Sequence, residues 1–243
     1  MEYKLEVIAF NIESCISIQK MGAHRIELCD NPAEGGTTPS FGFIKKAREN
    51  VSFDLFPIIR PRGGDFLYSE EEYQIMKEDV KLCKELGCNG VVIGLLLPNA
   101  HIDIERTKRL VEIAYPMEVT FHRAFDRVID PRQALEDVIA CGCNRILTSG
   151  LHSTVSEGQE VLKQLVQQAD YRIIIMPGSG LRASNISEIA AFTGAEEFHT
   201  SARKVKASNM TERSISMQED LSYATADEEE IANCLAQLTS IAG

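Results

Sequence analysis

CGCNRILTSG, residues 141–150, contains the unit of sequence from which we predict the fold. Gly142 suits the left-handed C-cap of a helix, and the small Cys143 follows where a helix meets a strand. After the polar Asn144 comes a strand-like run, RIL, which ends in Thr, Ser and Gly. The unit therefore predicts a helix end, a buried strand and a polar loop in direct succession.

The same unit recurs before every second predicted strand. Each copy has a glycine, a small residue and a polar residue ahead of the strand, in the segments MGAHRI (21–26), LGCNGV (86–91), CGCNRI (141–146) and TGAEEF (193–198). Cys88 and Cys143 thus occupy the position that Ala23 and Ala195 hold in the other copies. We interpret both cysteines as small buried apolar residues and not as metal ligands.

Short β-rich runs alternate with helical segments along the whole chain. The predicted strands are VIAF (7–10), RIELC (25–29), DLFPIIR (54–60), GVVIGLL (90–96), EVTFHR (118–123), RILTSG (145–150), RIIIMPG (172–178) and EFHTSA (197–202). Segments with helical spacing include 69–86, 103–114, 130–141, 154–169, 185–192 and 227–242. This alternation predicts an α/β fold, a single-domain (β/α)8 TIM barrel over residues 1–243. A doubly wound sheet fits less well, because no G-x-G-x-x-G follows the first strand, and we expect no nucleotide cofactor.

Composition and charge exclude several classes of protein. A net charge of −11 argues against nucleic-acid binding as the main activity. No run of about 18 apolar residues predicts a membrane span, and MEYKLEVIAF enters a strand without the features of a signal peptide, so we expect a cytoplasmic protein. The seven cysteines include no Cys-x-x-Cys pair, which favours reduced thiols.

FPIIRPRGGDF, residues 56–66, places Arg60, Arg62 and Asp65 directly after the third strand. Two arginines on a loop fixed by proline can present planar guanidinium groups to a carboxylate or phosphate, and the glycines allow close approach of the backbone. The alternative is a structural Arg–Asp network that closes the edge of the sheet. We favour an anion site, because the strand C-termini of such a barrel build its active site.

Alternation along the strands predicts which other side chains point into the barrel. Glu27 and Cys29 share the inward face of the second strand, His122 ends the fifth, and His199 shares a face with Ser201 in the eighth. One carboxylate and two imidazoles form an acid–base or metal set, whereas the opposite strand ends carry mostly glycine caps and apolar starts. The predicted catalytic residues are Glu27, Arg60, Arg62, Asp65, His122, Asp126, His199 and Ser201.

PGSG, residues 177–180, follows the seventh strand and precedes a helix near residue 185. Glycine-rich backbone at a helix N-terminus can bind phosphate, although a plain tight turn is the alternative. The predicted anion-binding residues are Arg60, Arg62, Gly178, Ser179 and Gly180, with Arg182 and Arg203 as supplements. No lysine stands at a predicted strand C-terminus, which argues against Schiff-base chemistry.

The runs IELCDNPAEGGTTPSFG, IIRPRGGDFLYSEEE, VTFHRAFD, ILTSG, MPGSG and EFHTSAR occur in this order across nearly the whole chain. Together they resemble the CutC family of copper homeostasis proteins. The resemblance implies a cytosolic (β/α)8 barrel, usually a homo-oligomer, that binds copper(I) through one thiol at the end of the first strand and one in the IELC segment. Cys29 is the second of these, but Ile8 stands at the first position and Cys15 is no evident substitute. The two-thiol site that copper(I) prefers is therefore incomplete.

Three functions remain open from the sequence. The first is copper handling, with Cys29 as the metal ligand and copper(I) as the bound ion. The second is an isomerase or lyase, cofactor-independent or metal-assisted, acting on a small anionic or phosphorylated substrate at the barrel mouth. The third is a binding or scaffold protein in which residues 203–226 form a lid or a subunit interface. The expected partners are a small anionic molecule or a copper ion, and further copies of the chain in a homodimer or higher homo-oligomer.

Overall fold

Strands and helices alternate along the chain in the computed structural model, which describes residues 3–212 and 214–242. The barrel strands are β1 (Lys4–Ala9), β2 (Arg25–Leu28), β3 (Asp54–Pro57), β4 (Gly90–Ile93), β5 (Glu118–Phe121), β6 (Arg145–Thr148), β7 (Ile174–Pro177) and β8 (Glu197–Thr200). The helices are α1 (Ile12–Met21), α2 (Phe41–Asn50), α3 (Glu70–Glu85), α4 (Ile104–Ala114), α5 (Pro131–Cys141), α6 (Gln159–Ala169), α7 (Ile186–Thr193) and α8 (Glu228–Ile241). None of the helices in these ranges is long and apolar enough to cross a bilayer.

The eight strands close into one parallel barrel. Hydrogen bonds order them as β3-β2-β1-β8 in one sheet and as β4-β5-β6-β7 in the other. Parallel bridges between Ile58 and Val92 and between Gly178 and His199 join the two sheets. The predicted α/β class and (β/α)8 barrel are confirmed, and all strand C-termini lie at one end.

The glycine of each repeated sequence unit ends a helix in the left-handed conformation. Gly22, Gly87, Gly142 and Gly194 have φ angles of 83°, 75°, 86° and 75°, which residues with a Cβ adopt only with strain. The residue that follows each glycine is buried, with at most 8% of its surface exposed. The two cysteines at this position are packed like the two alanines, as the repeat predicted.

The polar residue of the unit has a structural task at the N-terminal end of the barrel. In three of the four units, the side chain of this residue accepts a hydrogen bond from a backbone N–H of the neighbouring strand, and its own backbone N–H donates to the carbonyl of that strand residue. The side-chain bonds join His24 to Leu5 at 3.0 Å, Asn89 to Leu55 at 3.2 Å and Asn144 to Val119 at 2.8 Å. These bonds fix the register in which each unit enters the barrel.

Charged side chains fill the N-terminal end of the barrel interior. Nη2 of Arg25 lies 2.6 Å from Glu197, and its Nε contacts Glu6. Arg145 lies 3.0 Å from Glu197 and 2.9 Å from the more exposed Glu118. The expectation of apolar starts at this end is therefore wrong for these strands, because oppositely charged inward residues neutralise one another there.

Glycines on β4 and directly after it leave room for rings from neighbouring strands. A Cβ on Gly90 would lie 2.5 Å from the ring of Phe56. A Cβ on Gly94 would lie 2.3 Å from Nδ1 of His122. Both rings can therefore enter the barrel interior, since β4 places no side chain of its own at these positions.

Residues 203–226 begin and end in an antiparallel hairpin, β9 (Arg203–Lys206) and β10 (Tyr223–Ala226). The hairpin lies against α1, where Oγ of Ser14 accepts the N–H of Ala226 at 2.9 Å. Val205 on β9 is 75% exposed. The lid or interface role of this segment stays a prediction.

Candidate active site at the barrel mouth

A cavity of about 310 Å³ opens at the C-terminal end of the barrel strands. Its lining includes most of the polar residues predicted from the strand ends, namely Glu27, Arg60, His122, Ser179, Gly180, His199 and Ser201. Two further arginines, Arg123 and Arg203, line the same cavity. The predicted site residues that do not line it are Cys29, Arg62, Asp65, Asp126 and Gly178.

The ring of His199 lies between two carboxylates, those of Glu27 and Glu6, at the inner end of this cavity. Nδ1 of His199 lies 2.7 Å from Oε1 of Glu6, and Nε2 lies 3.8 Å from Oε2 of Glu27. Glu6 also pairs with Arg25, which favours its ionised form. The ring of His199 therefore donates its Nδ1 proton to Glu6 and turns Nε2 toward Glu27.

The two carboxyl groups beside His199 differ in pKa. Burial raises the pKa of Glu27 to about 7, although the charge of His199 opposes the shift. Burial also raises the pKa of Glu6, yet Arg25 and His199 outweigh it and lower that pKa to about 2. For His199, burial lowers the pKa, but Glu6 and Glu27 raise it above its ordinary value. The pKa of Glu27 thus lies near neutral pH, which is the range that acid–base catalysis requires.

His122 presents a buried N–H group without a partner. Its Nδ1 accepts the backbone N–H of Ala124 at 3.1 Å, so the neutral ring carries its proton on Nε2. Burial, followed by the nearby charge of Arg60, lowers the pKa of His122 to about 3 and keeps the ring neutral. Within the described residues, Nε2 has no hydrogen-bond partner. A ligand oxygen in the cavity could accept this bond.

Arg60 is a buried cation held by backbone carbonyls. Its guanidinium donates to the carbonyls of Glu34, Gly36 and Gly64 at 2.6, 2.8 and 2.8 Å and lies over the ring of Phe66. No carboxylate forms an ion pair with it in the part of the chain that the structure describes. The predicted two-pronged grip on an anion is therefore not available, but the positive charge is not neutralised.

Arg62 and Asp65 bind each other and not the cavity. Arg62 lies 2.9 Å from Asp65 and 2.6 Å from Glu72, and it also donates to the carbonyl of Leu67 at 2.7 Å. This is the structural Arg–Asp network that the sequence left open as the alternative. Loop contacts occupy both groups, and the predicted roles of Arg62 in anion binding and of Asp65 in catalysis stay predictions.

Asp126 holds together the loops after β5 and β6. Its buried carboxylate accepts hydrogen bonds from Arg123 at 2.7 Å, from the Thr148 hydroxyl at 2.5 Å and from the backbone N–H of Ser149 at 3.0 Å. The N–H of Leu151 adds a further bond at 3.1 Å. These donors use its acceptor sites and give Asp126 a structural role, while the catalytic role predicted for it stays a prediction.

The PGSG turn, residues 177–180, lies farther from the start of α7 than predicted. α7 begins only at Ile186, so the turn does not form the N-terminus of that helix. Gly178 lies beside His199, since a Cβ there would be 3.1 Å from the histidine Cβ. Ser179 and Gly180 line the cavity and have φ angles of 93° and 71°. Gly178 thus leaves room for Leu147 and for His199, and the next two residues line the cavity.

Cys29 lies in an apolar cluster with Phe56, Ile58 and Val92. Burial, followed by the charge of Glu27, raises the pKa of its thiol well above the ordinary value. Cys15 belongs to a separate cluster outside the barrel interior. The described residues contain no group of three or more His, Cys, Asp or Glu side chains arranged to hold a metal ion. The role of Cys29 as a copper(I) ligand stays a prediction.

Glu6 is a residue of this site that the sequence reasoning missed. The first strand was predicted to begin at Val7, whereas β1 begins at Lys4 and places Glu6 inside the barrel. The signal was present in KLEVIA, where one carboxylate interrupts a run of buried apolar residues. Such a residue needs a buried partner, here Arg25 and His199.

The closed barrel and the polar mouth at its strand C-termini define a single-domain TIM-barrel protein. The sequence model of the CutC family matches residues 3–204, and the chain belongs to this family. A family protein CutC from Chromobacterium violaceum is 51% identical over 88% of this chain and 86% of its own length. The human copper homeostasis protein cutC homolog is 45% identical over 88% of this chain and 79% of its own.

A solved structure agrees with this assignment. The crystal structure of CutC from Streptococcus agalactiae is 36% identical and matches with a TM-score of 0.78. The match covers 82% of this chain and 98% of that one. At this identity, the likeness extends from the fold to the family.

Proposed function

We propose that the protein is an enzyme that transfers a proton on a small anionic substrate, as an isomerase or a lyase. The observation that carries this proposal is His122, a neutral buried ring in the wall of the cavity that Glu27 also lines, whose Nε2–H has no partner among the described residues. An unpaired buried donor is costly to a folded protein. A substrate oxygen that accepts its hydrogen bond would remove that cost.

The chemistry assigned to the mouth is general acid–base catalysis. Glu27, with a pKa of about 7, removes a proton from the substrate carbon and passes it on with the help of His199. Nε2–H of His122 stabilises the negative charge that develops on the substrate oxygen. His199 accepts or returns the proton of Glu27. Glu6 orients the ring of His199 for this role.

The charge around the mouth supports an anionic substrate. Arg60 is a buried cation that no carboxylate neutralises in the described ranges 3–212 and 214–242. Ser179, Gly180 and Arg203 line the cavity after β7 and β8, where many TIM barrels bind phosphate. We assign the anionic group of the substrate to this side of the mouth, together with Ser201.

His122→Asn tests the proposal, because asparagine keeps an acceptor for Ala124 N–H and removes the Nε2 donor. A panel of sugar phosphates and hydroxy acids is first screened by thermal shift, and binders are titrated by calorimetry. We expect the wild type to bind at least one compound and the variant to bind it roughly tenfold more weakly. Thr107→Val is the matched control, since Thr107 also has a buried unpartnered hydroxyl, on α4 outside the cavity.

Two results would contradict the proposal. The first is that no anionic compound in the panel stabilises the wild type. The second is that His122→Asn and Thr107→Val bind the selected compound as tightly as the wild type does.

Copper binding is the second candidate function, because the human and mouse relatives are named copper homeostasis protein cutC homologs. Cys29 would be the ligand, with its thiol deprotonated on binding. This function predicts that Cys29→Ala binds copper(I) at least about tenfold more weakly than the wild type in a competition titration. Cys141→Ala is the control, because Cys141 lies on α5, outside the barrel. Equally weak binding by all three proteins excludes the copper site.

We further propose a cytoplasmic location and assembly into a homodimer or higher homo-oligomer. The assembly proposal is supported by exposed apolar side chains in residues 203–226, where Val205, Met210 and Met217 are 75%, 63% and 59% exposed. Contact surfaces between proteins are formed where such exposed apolar side chains adjoin one another.

A further inference from the structure

A second cavity, of about 580 Å³, adjoins the one that contains Glu27 and His122. The two cavities share Arg60, Phe66 and Arg123 in their walls. The second one extends outward between the loops after β3, β4 and β5, and Arg127 lines its outer part. A ligand bound at the mouth therefore has room to extend past Arg123 toward Arg127.

The charges along this second cavity favour an anion. The carboxylate of Asp65 is already paired with Arg62 at 2.9 Å. Glu34, the other acidic residue in the wall, accepts the N–H of Gly64 at 3.3 Å. Arg60 adds a cation with no carboxylate partner in the described residues. The wall thus holds three guanidinium groups, of which Arg123 is paired with Asp126, against the carboxylates of Asp65 and Glu34, in a protein whose net charge is −11.

Arg123 and Arg127 stand at the two ends of one short 3-10 helix, Arg123–Arg127. Nε of Arg123 pairs with Asp126 at 2.7 Å and one terminal nitrogen donates to Ser149 at 2.9 Å, so this side chain is fixed at the junction of the cavities. Arg127 is exposed, and the structure shows no bond that ties its side chain to the described part of the chain. It is available to a ligand without the loss of an existing contact.

We propose that Arg123 and Arg127 form a second anion subsite, and that the substrate carries two separated anionic groups. One group binds beside Ser179, Gly180 and Arg203, and the other binds at Arg123 and Arg127, with the reacting carbon between them at Glu27 and His122. This inference rests on the proposed function and specifies its substrate class as bisphosphates and phosphorylated carboxylic acids. Guanidinium groups suit both phosphate and carboxylate oxygens.

The test compares probes that carry one or two anionic groups. Ribose 5-phosphate and ribulose 1,5-bisphosphate are titrated against the wild type, Arg127→Gln and Arg127→Glu by calorimetry. In the wild type, we expect the bisphosphate to bind at least about tenfold more tightly than the monophosphate. Arg127→Gln should remove most of that advantage and leave monophosphate affinity unchanged, and Arg127→Glu should reverse it. Arg109→Gln, on the exposed face of α4, is the matched surface control.

The outcomes separate the subsite from the proposed function. If the monophosphate binds but the bisphosphate gains nothing, or if Arg127→Gln keeps the full advantage, the second subsite is wrong and the proposed function stands. If neither probe binds the wild type, the subsite and its bisphosphate substrate class are overturned, while the wider anion panel decides the proposed function. If Arg127→Gln and Arg109→Gln weaken bisphosphate binding equally, the change in overall charge explains the effect, and the subsite is rejected. Arg127 makes no contact that folding requires, so unchanged thermal midpoints are expected for its variants.

Discussion

Replacing Arg25 by methionine is expected to destabilise the fold by about 3–5 kcal/mol, the range found when one partner of a buried ion pair is removed. Arg25 is 2% exposed and neutralises both Glu6 and Glu197 inside the barrel. Methionine has a similar volume, so the lost free energy of unfolding comes mainly from the two buried carboxylates that no longer have this partner. Urea unfolding at neutral pH measures the difference.

The pH dependence of this loss identifies its cause. The pKa of Glu6 is lowered from 4.5 to about 2 in the folded protein, so its stabilising contribution is present above about pH 4.5 and is lost as the pH falls toward 2. The gap between Arg25→Met and wild type should therefore narrow on acidification. Arg172→Met, which breaks a surface pair with Glu136, should cost less than about 1 kcal/mol. A loss for Arg25→Met that is no larger than the surface control would contradict the account of the network.

Glu27→Gln is expected to stabilise the fold while it abolishes proton transfer. The folded protein keeps the Glu27 proton up to about pH 7, whereas an unfolded carboxyl releases it near 4.5. Wild-type stability therefore falls as the pH rises between these values. Glutamine does not ionise, so the variant should gain up to roughly 3 kcal/mol over wild type at about pH 8 and almost nothing at about pH 4.

The catalytic side of this prediction is measured by deuterium exchange. A carbonyl compound that binds the mouth is incubated with the protein in heavy water, and NMR follows deuterium uptake at the carbon next to its carbonyl group. Glu27→Gln should slow the uptake by about 100-fold or more and still bind the compound. Glu105→Gln, at an exposed position on α4, should match the wild type in both measurements. Undiminished exchange in Glu27→Gln would remove Glu27 from the mechanism.

Stability and function thus impose opposite demands on neighbouring carboxylates of one barrel. Glu6 is stabilised by Arg25 and His199 and remains ionised. Glu27, at the register position beside Ile8 of β1, lies 3.8 Å from His199 and carries the cost of burial. A carboxylate kept in such a destabilised state is typical of active sites.

Local sequence patterns were sufficient to predict the barrel. The alternation of strand and helix periods, and the glycine that ends a helix before every second strand, depend on residues close together in the chain. Strand parity also predicted that Glu27, His122 and His199 face inward, and all three line one cavity. The side on which a residue of a strand lies follows from its position in that strand alone.

Local patterns could not separate the two arginines of FPIIRPRGGDF. Arg60 lies inside the barrel mouth on three carbonyls, while Arg62 closes the loop with Asp65 and Glu72. Both were predicted to hold an anion, because a guanidinium next to a glycine pair has the same chemistry in either position. Only the folded chain shows which donors are already used.

The sequence by itself therefore determined the architecture and the family, and it placed Glu27, His122 and His199 at the barrel mouth. The tertiary structure alone decided the pairing of the polar residues: Glu6 with His199, Arg25 with Glu197, and Asp126 with the loop after β6. The reason is physical, since secondary structure follows from neighbours along the chain, whereas hydrogen bonds and ion pairs depend on distances in space. Arg25 and Glu197 are 172 residues apart in sequence and 2.6 Å apart in the barrel.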